Sequence, residues 1–531
     1  MMKWTEEQQL AIDKEGCNII VSAGAGSGKT AVLSERVLRK VKEGVDIRKI
    51  LILTFTNEAA GEMKNRIRNK LKKSKLDEQL EYIDSAYITT FDAYALSLVK
   101  KYHYLLNISK NISIIDSSII DLEKNRIIDE IFLEMYERKD EDFLSLVGDF
   151  TERDDTVIKE AILSISKTLD LKYDKKEYLM SYEEEFYKHE NIENLFQEYF
   201  QYLKVLVEQI EDIILALGEI VDEKLYTKLY DAYSPLFKPR KYSDLARRSI
   251  PSIQFRNVPE EAIPYKDSLK VLREEFLELT QDTEEELKEY IKSTKGYVRA
   301  IIKVIMQLDE RLDEYKLKCE SFEFSDIAKM AIRIVQENET ICEELKNTYN
   351  EILIDEYQDT NDLQEVFVSL IQNDNVYMVG DIKQSIYRFR NANPNIFKNK
   401  YDCYSRGENG FKIDLVKNFR SRREVLNNIN EIFNFIMTEE VGGVNYPLNH
   451  AMVYGNLAYI EMGENNYDNN MEIMKYDNEG KEFSDTEIEA FTIAQDIKKK
   501  IQSKYQVYDF GLKSLREVRL SDFCIILDRG S

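Results

Sequence analysis

The chain has 531 residues, 32% of them charged and 43% hydrophobic, with only 7 Pro and 19 Gly. At roughly 150 residues per domain this predicts three or four compact units, and it excludes disordered, collagen-like and low-complexity scaffolds. A net charge of −24 argues against a protein that coats nucleic acid over its whole surface.

The longest unbroken apolar runs, such as Ile213 to Leu217 and Phe523 to Leu527, are far shorter than the ~20 residues a membrane span needs. The start, Met1-Met2-Lys3-Trp4-Thr5-Glu6-Glu7, lacks the apolar stretch of a secretory signal. A soluble, intracellular protein without membrane contact is expected. Cys17, Cys319, Cys342, Cys403 and Cys524 are scattered without a C-x-x-C pair, and His103, His189 and His450 stand alone. Reduced thiols are therefore expected, with no disulfide framework and no Cys- or His-based metal site. Charge is uneven: residues 1–115 carry 19 Lys/Arg against 14 Asp/Glu, and residues 381–430 carry 11 against 5. Because salt screens charge within ~8 Å, a basic groove can persist on an acidic body.

In chain order, the first β-branched runs are Asn18 to Val21, Ile50 to Thr56 and Tyr87 to Phe91. After the first comes Ala23-Gly24-Ala25-Gly26-Ser27-Gly28-Lys29-Thr30, which opens a helix over Ala31 to Val41. Glycines let backbone N–H groups wrap phosphate oxygens, Lys29 can reach the β- and γ-phosphates of ATP, and Thr30 can hold Mg2+. The general pattern begins with Gly where this chain has Ala23, but its Gly-Lys-Thr ending is intact.

Residues 116–320 change texture. Ile120, Ile127, Ile131 and Met135 recur at helical spacing, as do Leu195, Tyr199, Leu203, Leu206, Ile210, Ile213 and Leu217. This stretch reads as a helical insertion in one α/β domain. Within it Pro235, Pro239, Pro251, Pro259 and Pro264 mark an irregular segment carrying Lys238, Arg240, Lys241, Arg247, Arg248 and Arg256. That segment reads as a solvated linker or as a duplex-contacting loop.

A second strand group follows: Glu351 to Ile354, Val376 to Val379 and Phe411 to Val416. Alternation with helices predicts a parallel sheet covered on both faces. Asp355 and Glu356 end the first of these strands, placed to hold Mg2+ and to activate water. From Phe411 onward a third region is expected, with a helix over Arg423 to Met437 and a last strand over Asp522 to Leu527. Its sheet looks unfinished at Ser531.

Several runs carry a resemblance. They are Leu53-Thr54-Phe55-Thr56-Asn57-Glu58-Ala59-Ala60-Gly61-Glu62-Met63, the Asp355-Glu356-Tyr357-Gln358-Asp359 segment, Val379 to Arg390, and Asn418-Phe419-Arg420-Ser421. In this order they resemble UvrD/Rep-type superfamily 1 DNA helicases. Trp4-Thr5-Glu6-Glu7-Gln8, Phe322 to Ile327 and Lys383 are most similar to the AddA-type helicase–nuclease subunits of bacterial double-strand-break processing. The resemblance implies a RecA-like first motor domain split over 1–115 and 321–410, the insertion over 116–320, and the start of a second RecA-like domain over 411–531.

It also implies roles. Gln8 would read adenine, Phe419 would stack on the nucleotide, and Gln384 would sense the γ-phosphate. Arg420 would be an arginine finger from the second motor domain. Phe55, Tyr387 and Phe389 would stack bases, with Thr56, Asn57, Arg388 and Arg390 beside them. Asp92 departs from the His-Ser that relatives usually carry after the aromatic position. The implied activity is ATP hydrolysis driving 3′→5′ movement on single-stranded DNA and at single-strand/duplex junctions, with DNA unwinding, in bacterial repair and recombination. It would be cytoplasmic and nucleoid-associated, beside an AddB-like nuclease subunit. Later motifs of the second motor domain, the nuclease domain and the iron–sulfur cysteines have no counterpart before Ser531, so weak unwinding by an N-terminal portion is expected. The alternative is an ATP-binding regulatory module that docks a partner without unwinding; an RNA helicase is a further rival.

Overall fold

The computed structural model describes residues 4–151, 153–255, 258–388, 391–456, 470–476, 483–509, 511–512 and 514–526. They fall into two compact units, one of Met1–Arg420 with Met437–Gly455, the other of Ser421–Ile436 with Asn456–Ser531.

The first unit is built on strands β1 (Ile19–Ala23), β2 (Ile50–Thr54) and β3 (Ile88–Thr90), followed by β4 (Ser113–Ile114), β5 (Ser321–Phe322), β6 (Glu351–Ile354), β7 (Val376–Gly380) and β8 (Phe411–Leu415). Six of these form one parallel sheet in the order β3-β2-β6-β7-β1-β8. The fold is thus α/β, as expected. Successive side chains point to opposite faces, so Ile20, Leu51, Leu53, Ile352 and Met378 enter one core while Ile19, Val21, Ile50, Ile52, Leu353 and Tyr377 enter the other. Helices α1 (Glu6–Asp13), α2 (Lys29–Lys42) and α3 (Asn57–Lys73) cover the second face. Helices Phe91–Lys101, Phe324–Glu337 and Asp362–Ile371 cover the first. Two strands end earlier than their apolar runs because threonines cap the next helix. Thr56 Oγ1 accepts the Ala59 N–H at 3.1 Å, and Thr90 Oγ1 accepts that of Ala93 at 3.3 Å.

The insertion is helical from Ser117–Arg138 to Lys295–Cys319. Its ends are joined by the parallel β4–β5 pair, Ser113 opposite Ser321. It has two hydrophobic cores of its own, one around Ile127, Phe132 and Val304, the other around Phe200, Ile210 and Phe276. The proline-containing segment packs Leu236, Tyr242, Leu245 and Ile250 into the latter, so it is an anchored part of the helical body and not a free linker. Arg247 is spent on Glu286 at 2.6 Å; Arg256 lies outside the described residues.

Two expectations need correction. Phe411–Leu415 does not open a new domain: it pairs in parallel with β1, Ile19 opposite Phe411, and closes the edge of the first sheet. The boundary expected at residue 411 therefore falls after Arg420. The strand expected over Asp522 to Leu527 is also absent through residue 526, with Leu527 outside the described residues. The Asp522 carboxylate instead takes two bonds from Arg516, at 2.6 and 2.8 Å, and the Arg519 N–H at 2.8 Å, which closes a turn over Leu520–Asp522. The second unit holds helices Arg423–Ile436 and Asp485–Gln502 and the hairpin Gln506–Asp509/Ser514–Glu517. Among the described residues no helix is long and apolar enough to cross a membrane.

Candidate nucleotide site

In a parallel sheet all strands finish on one edge, so loops far apart in sequence meet there. The Ala23–Thr30 loop leaves β1 at this edge. Gly26 and Gly28 have φ of +69° and +88°. A Cβ at Gly26 would lie 2.8 Å from both the Asn418 amide and the Arg420 Cβ, so the loop is closed to any other residue. Asn418 fastens it, donating to the Ala25 carbonyl at 2.7 Å while accepting the Arg420 N–H at 2.8 Å. The Phe419 N–H donates to the Gly26 carbonyl at 2.8 Å. Gln8, on α1, donates from Nε2 to the Ser27 carbonyl at 2.9 Å and accepts the Thr5 N–H on Oε1 at 3.1 Å.

Asp355 follows β6, its N–H on the Leu53 carbonyl at 3.0 Å. Burial, then the charge of Glu356, pushes its carboxyl up to about 6. Glu356 sits in the left-handed region at φ +50°, a costly conformation for a non-glycine residue. It turns its carboxylate to Lys29, with Nζ to Oε2 at 2.9 Å. The two motifs, 327 residues apart, thus share one site. The same Oε2 accepts Gln358 Nε2 at 3.0 Å. Asp359 is also pushed up to about 6, by burial and then by Glu356. Gln384 reaches this network through Asp381, donating to its Oδ2 at 2.7 Å, while Lys383 Nζ donates to Oδ1 at 2.7 Å.

The residues present fit a magnesium triphosphate. Among the described residues Ser27 Oγ is buried in the loop with no hydrogen-bond partner, and the loop opens the N-terminus of α2, where backbone N–H groups and the helix dipole favour anions. Thr30 and Asp355 offer the hard oxygen donors Mg2+ prefers, and that ion uses few protein ligands when phosphates and waters complete its shell. Among the described residues no group of three or more His, Cys, Asp or Glu could hold a metal by itself.

Phe55, just past β2, and Tyr387 face each other with ring centroids 4.8 Å apart and planes tilted 32°. Thr56 caps α3, whereas Asn57 and Arg388 are exposed. Phe389 and Arg390 lie outside the described residues. A cleft of about 790 Å3 opens beside Phe55, lined also by Thr90, Asp92, Asp355, Glu356 and Asp359. Asp92 is pushed up to about 6 by burial, which suits a partly protonated wall and not a phosphate contact. Arg420 is exposed but belongs to the same compact unit as the loop. The expectation that it enters from a second motor domain is corrected by the run of chain from β8, which carries it to Gly26. Three functional neighbours had no role in the sequence reading: Gln358, Asp381 and Asn418. Each lies inside or beside a quoted motif, but its partners are distant in sequence.

The UvrD/REP helicase N-terminal domain matches residues 4–233 and 230–405. The chain is 32% identical, over 99% of its length, to the A subunit of the ATP-dependent helicase/nuclease of Clostridium novyi, of which 48% is covered. The proteins of the same name from Bacillus cytotoxicus and Alkaliphilus oremlandii are each 30% identical over 99% of this chain and 47% of their own lengths. The chain therefore spans about half the length of these curated relatives. With the loop, the acidic pair and the Asp381–Gln384 turn gathered at one sheet edge, and most of its length matched, the chain belongs to the UvrD/REP helicase family.

Proposed function

We propose that the chain is the RecA-like, ATP-hydrolysing part of a motor that moves along single-stranded DNA in the 3′→5′ sense. Its setting would be double-strand-break repair and recombination, beside a nuclease-bearing AddB-like subunit. The observation that carries this reading is the Lys29–Glu356 pair at 2.9 Å. The cation that would bind phosphate lies against the carboxylate that would activate water.

The loop amides would cradle the phosphates and Gln8 would bind the adenine edge. Lys29 would leave Glu356 for phosphate oxygens, and Glu356, released from that ion pair, would accept the proton of the attacking water. Mg2+, held by Thr30 and Asp355, would offset phosphate charge. Arg420 would neutralise charge on the transferred group, a contribution of roughly 10³–10⁵ in rate where such arginines act. Phe419 would stack on the nucleotide, and Phe55 and Tyr387 would offer ring faces to successive bases without reading sequence.

The test is ATP turnover with and without oligo(dT). Turnover stimulated by DNA and abolished in Lys29→Ala supports the motor. Slow turnover indifferent to DNA would favour the nucleotide-switch reading, and stronger stimulation by RNA than by DNA would favour an RNA helicase.

A further inference from the structure

Gln358 is 1% exposed and lies in the short turn Tyr357–Asp359 that follows the left-handed Glu356. Its one amide makes three side-chain bonds. Nε2 donates to Glu356 Oε2 at 3.0 Å and to Asp359 Oδ2 at 3.1 Å, while Oε1 accepts the Asp381 N–H at 2.9 Å. Its backbone carbonyl accepts the Ser385 hydroxyl at 3.3 Å. Gly380 holds the amide from the other side: a Cβ there would come within 2.6 Å of Gln358 Oε1. The loop after β6 and the loop after β7 are thus joined through one buried side chain.

The bonds made here call for a side-chain amide. Two carboxylates need donors and a backbone N–H needs an acceptor, which an amide supplies together. A carboxylate here would bring no donor and a further negative charge; an aliphatic chain would take this partner from the buried Asp359 carboxylate and Asp381 N–H and leave Glu356 Oε2 to Lys29 alone. The two ends of the bridge also differ in kind. At one end Glu356 Oε2 is shared between Lys29 and Gln358. At the other, Asp381 holds Gln384 and Lys383 and leads to the turn that reaches Tyr387 beside Phe55.

We infer that Gln358 is a positioning residue that couples the nucleotide site to the base-stacking segment by tying Glu356 to the Asp381–Gln384 turn. When phosphate draws Lys29 away, the Gln358 amide is the donor that stays on Glu356 Oε2, so any displacement of that carboxylate pulls on the Asp381 N–H. This deepens the proposed function and rests on it.

The experiment measures the affinity of the 531-residue protein for oligo(dT), with and without a non-hydrolysable ATP analogue and Mg2+. In the wild type the nucleotide shifts DNA affinity by about fivefold or more, the usual range of coupling between sites. Gln358→Met keeps each ligand's separate affinity within about threefold, but the shift falls below about twofold. Gln358→Glu provides a switch within a single polypeptide. When protonated, the new carboxyl offers one O–H donor and one acceptor, so coupling, read against the wild type at the same pH because Asp355 and Asp359 also titrate at about 6, is larger near pH 6.5 than near pH 8; a purely structural side chain would not behave so. This comparison decides the matter if Gln358→Met does not fold. An unchanged shift in Gln358→Met, a pH-independent Gln358→Glu, or a wild type whose two ligands ignore each other overturns the inference. A wild type that binds neither ligand overturns the proposed function instead.

Discussion

Two buried charges set the residue-scale behaviour. Arg36 is 0% exposed, donates to both Glu351 oxygens at 3.0 and 2.6 Å, and lies 4.3 Å over the Tyr377 ring. It also donates to the Ala11 and Ile12 carbonyls at the end of α1. Losing one partner of a buried pair strands the other charge, so Arg36→Ala should destabilise the protein by about 3–5 kcal/mol in urea unfolding. Replacing both partners, Arg36→Met with Glu351→Met, should recover most of that loss, since burial of a charge is then no longer required. The second charge is the carboxyl of Asp355, raised to about 6, with Asp359 beside it, also at about 6. Both folded values exceed the ordinary 3.8. The folded state therefore holds these protons more tightly than the unfolded chain, and the two groups cost stability progressively as pH rises from about 4 to about 6. The proposed hold of Asp355 on Mg2+ would need its carboxylate ionised. The kcat/KM for ATP should therefore fall as pH drops through about 6, where an unshifted carboxylate would keep it level to near 4. An acid limb near 4 would refute the burial of Asp355 as its cause.

At the scale of elements, α1 depends on its neighbours. Eight residues are too few for a stable isolated helix. It is held at its start by the Thr5–Gln8 capping box and the Gln8 bond to Ser27, and at its end by Arg36 and Arg39 on carbonyls of Ala11 and Ile12. Trp4, the only tryptophan, precedes this helix, with Lys70 Nζ 6.0 Å from its ring centroid. A nucleotide that took the Gln8 amide from Ser27, as proposed, would shift the start of α1 and the ring with it. Trp4 emission should therefore change on saturation with ATP and stay unchanged in Gln8→Ala; an identical response in both would remove Gln8 from adenine recognition. No helix is expected at α1 from the sequence, whereas the strands are readable from local pattern. The strands near residues 18, 50, 87, 351, 376 and 411 announced themselves as short β-branched runs, and the loop and acidic pair by composition and position. Their ends were less readable, because Thr56 and Thr90 stop the strands by accepting backbone N–H bonds from the helices that follow, which the apolar runs do not record. The partnership of Phe411–Leu415 with Ile19–Ala23 was hidden altogether: a strand's sheet is decided by pairing across some 390 residues, which a local pattern cannot record. Gln358 and Asn418 were unreadable as site residues for the same reason, since their meaning lies in Asp381 and Ala25.

The whole molecule sets a helical insertion of about two hundred residues inside one sheet without disturbing it, and the joint explains how. Ser113 and Ser321 are opposite partners in a parallel pair, so the chain leaves and re-enters the α/β body at adjacent points. The insertion keeps separate hydrophobic cores, whereas much of its junction with the body is ionic. Lys316 reaches Glu323 at 2.6 Å and Asp326 at 2.7 Å, and Lys124 lies between Asp170 and Glu323 at 3.3 and 3.8 Å. Both lysines are buried in these pairs, so losing the lysines alone would be costly, but without the insertion Glu323 and Asp326 face water and are solvated there; a severed apolar core would have no such recourse. Loop closure favours the same outcome, because a short linker between adjacent strand ends costs less entropy than a long one. Replacing residues 116–319 by a short Gly/Ser linker should therefore leave the α/β body folded, with a cooperative thermal transition and Mg-ATP affinity within about threefold of the full chain. Loss of the transition, or of nucleotide binding in a folded variant, would mean that the insertion supports the sheet edge on which Lys29 and Glu356 meet, and that the ionic joint holds the geometry of that site as well as the insertion.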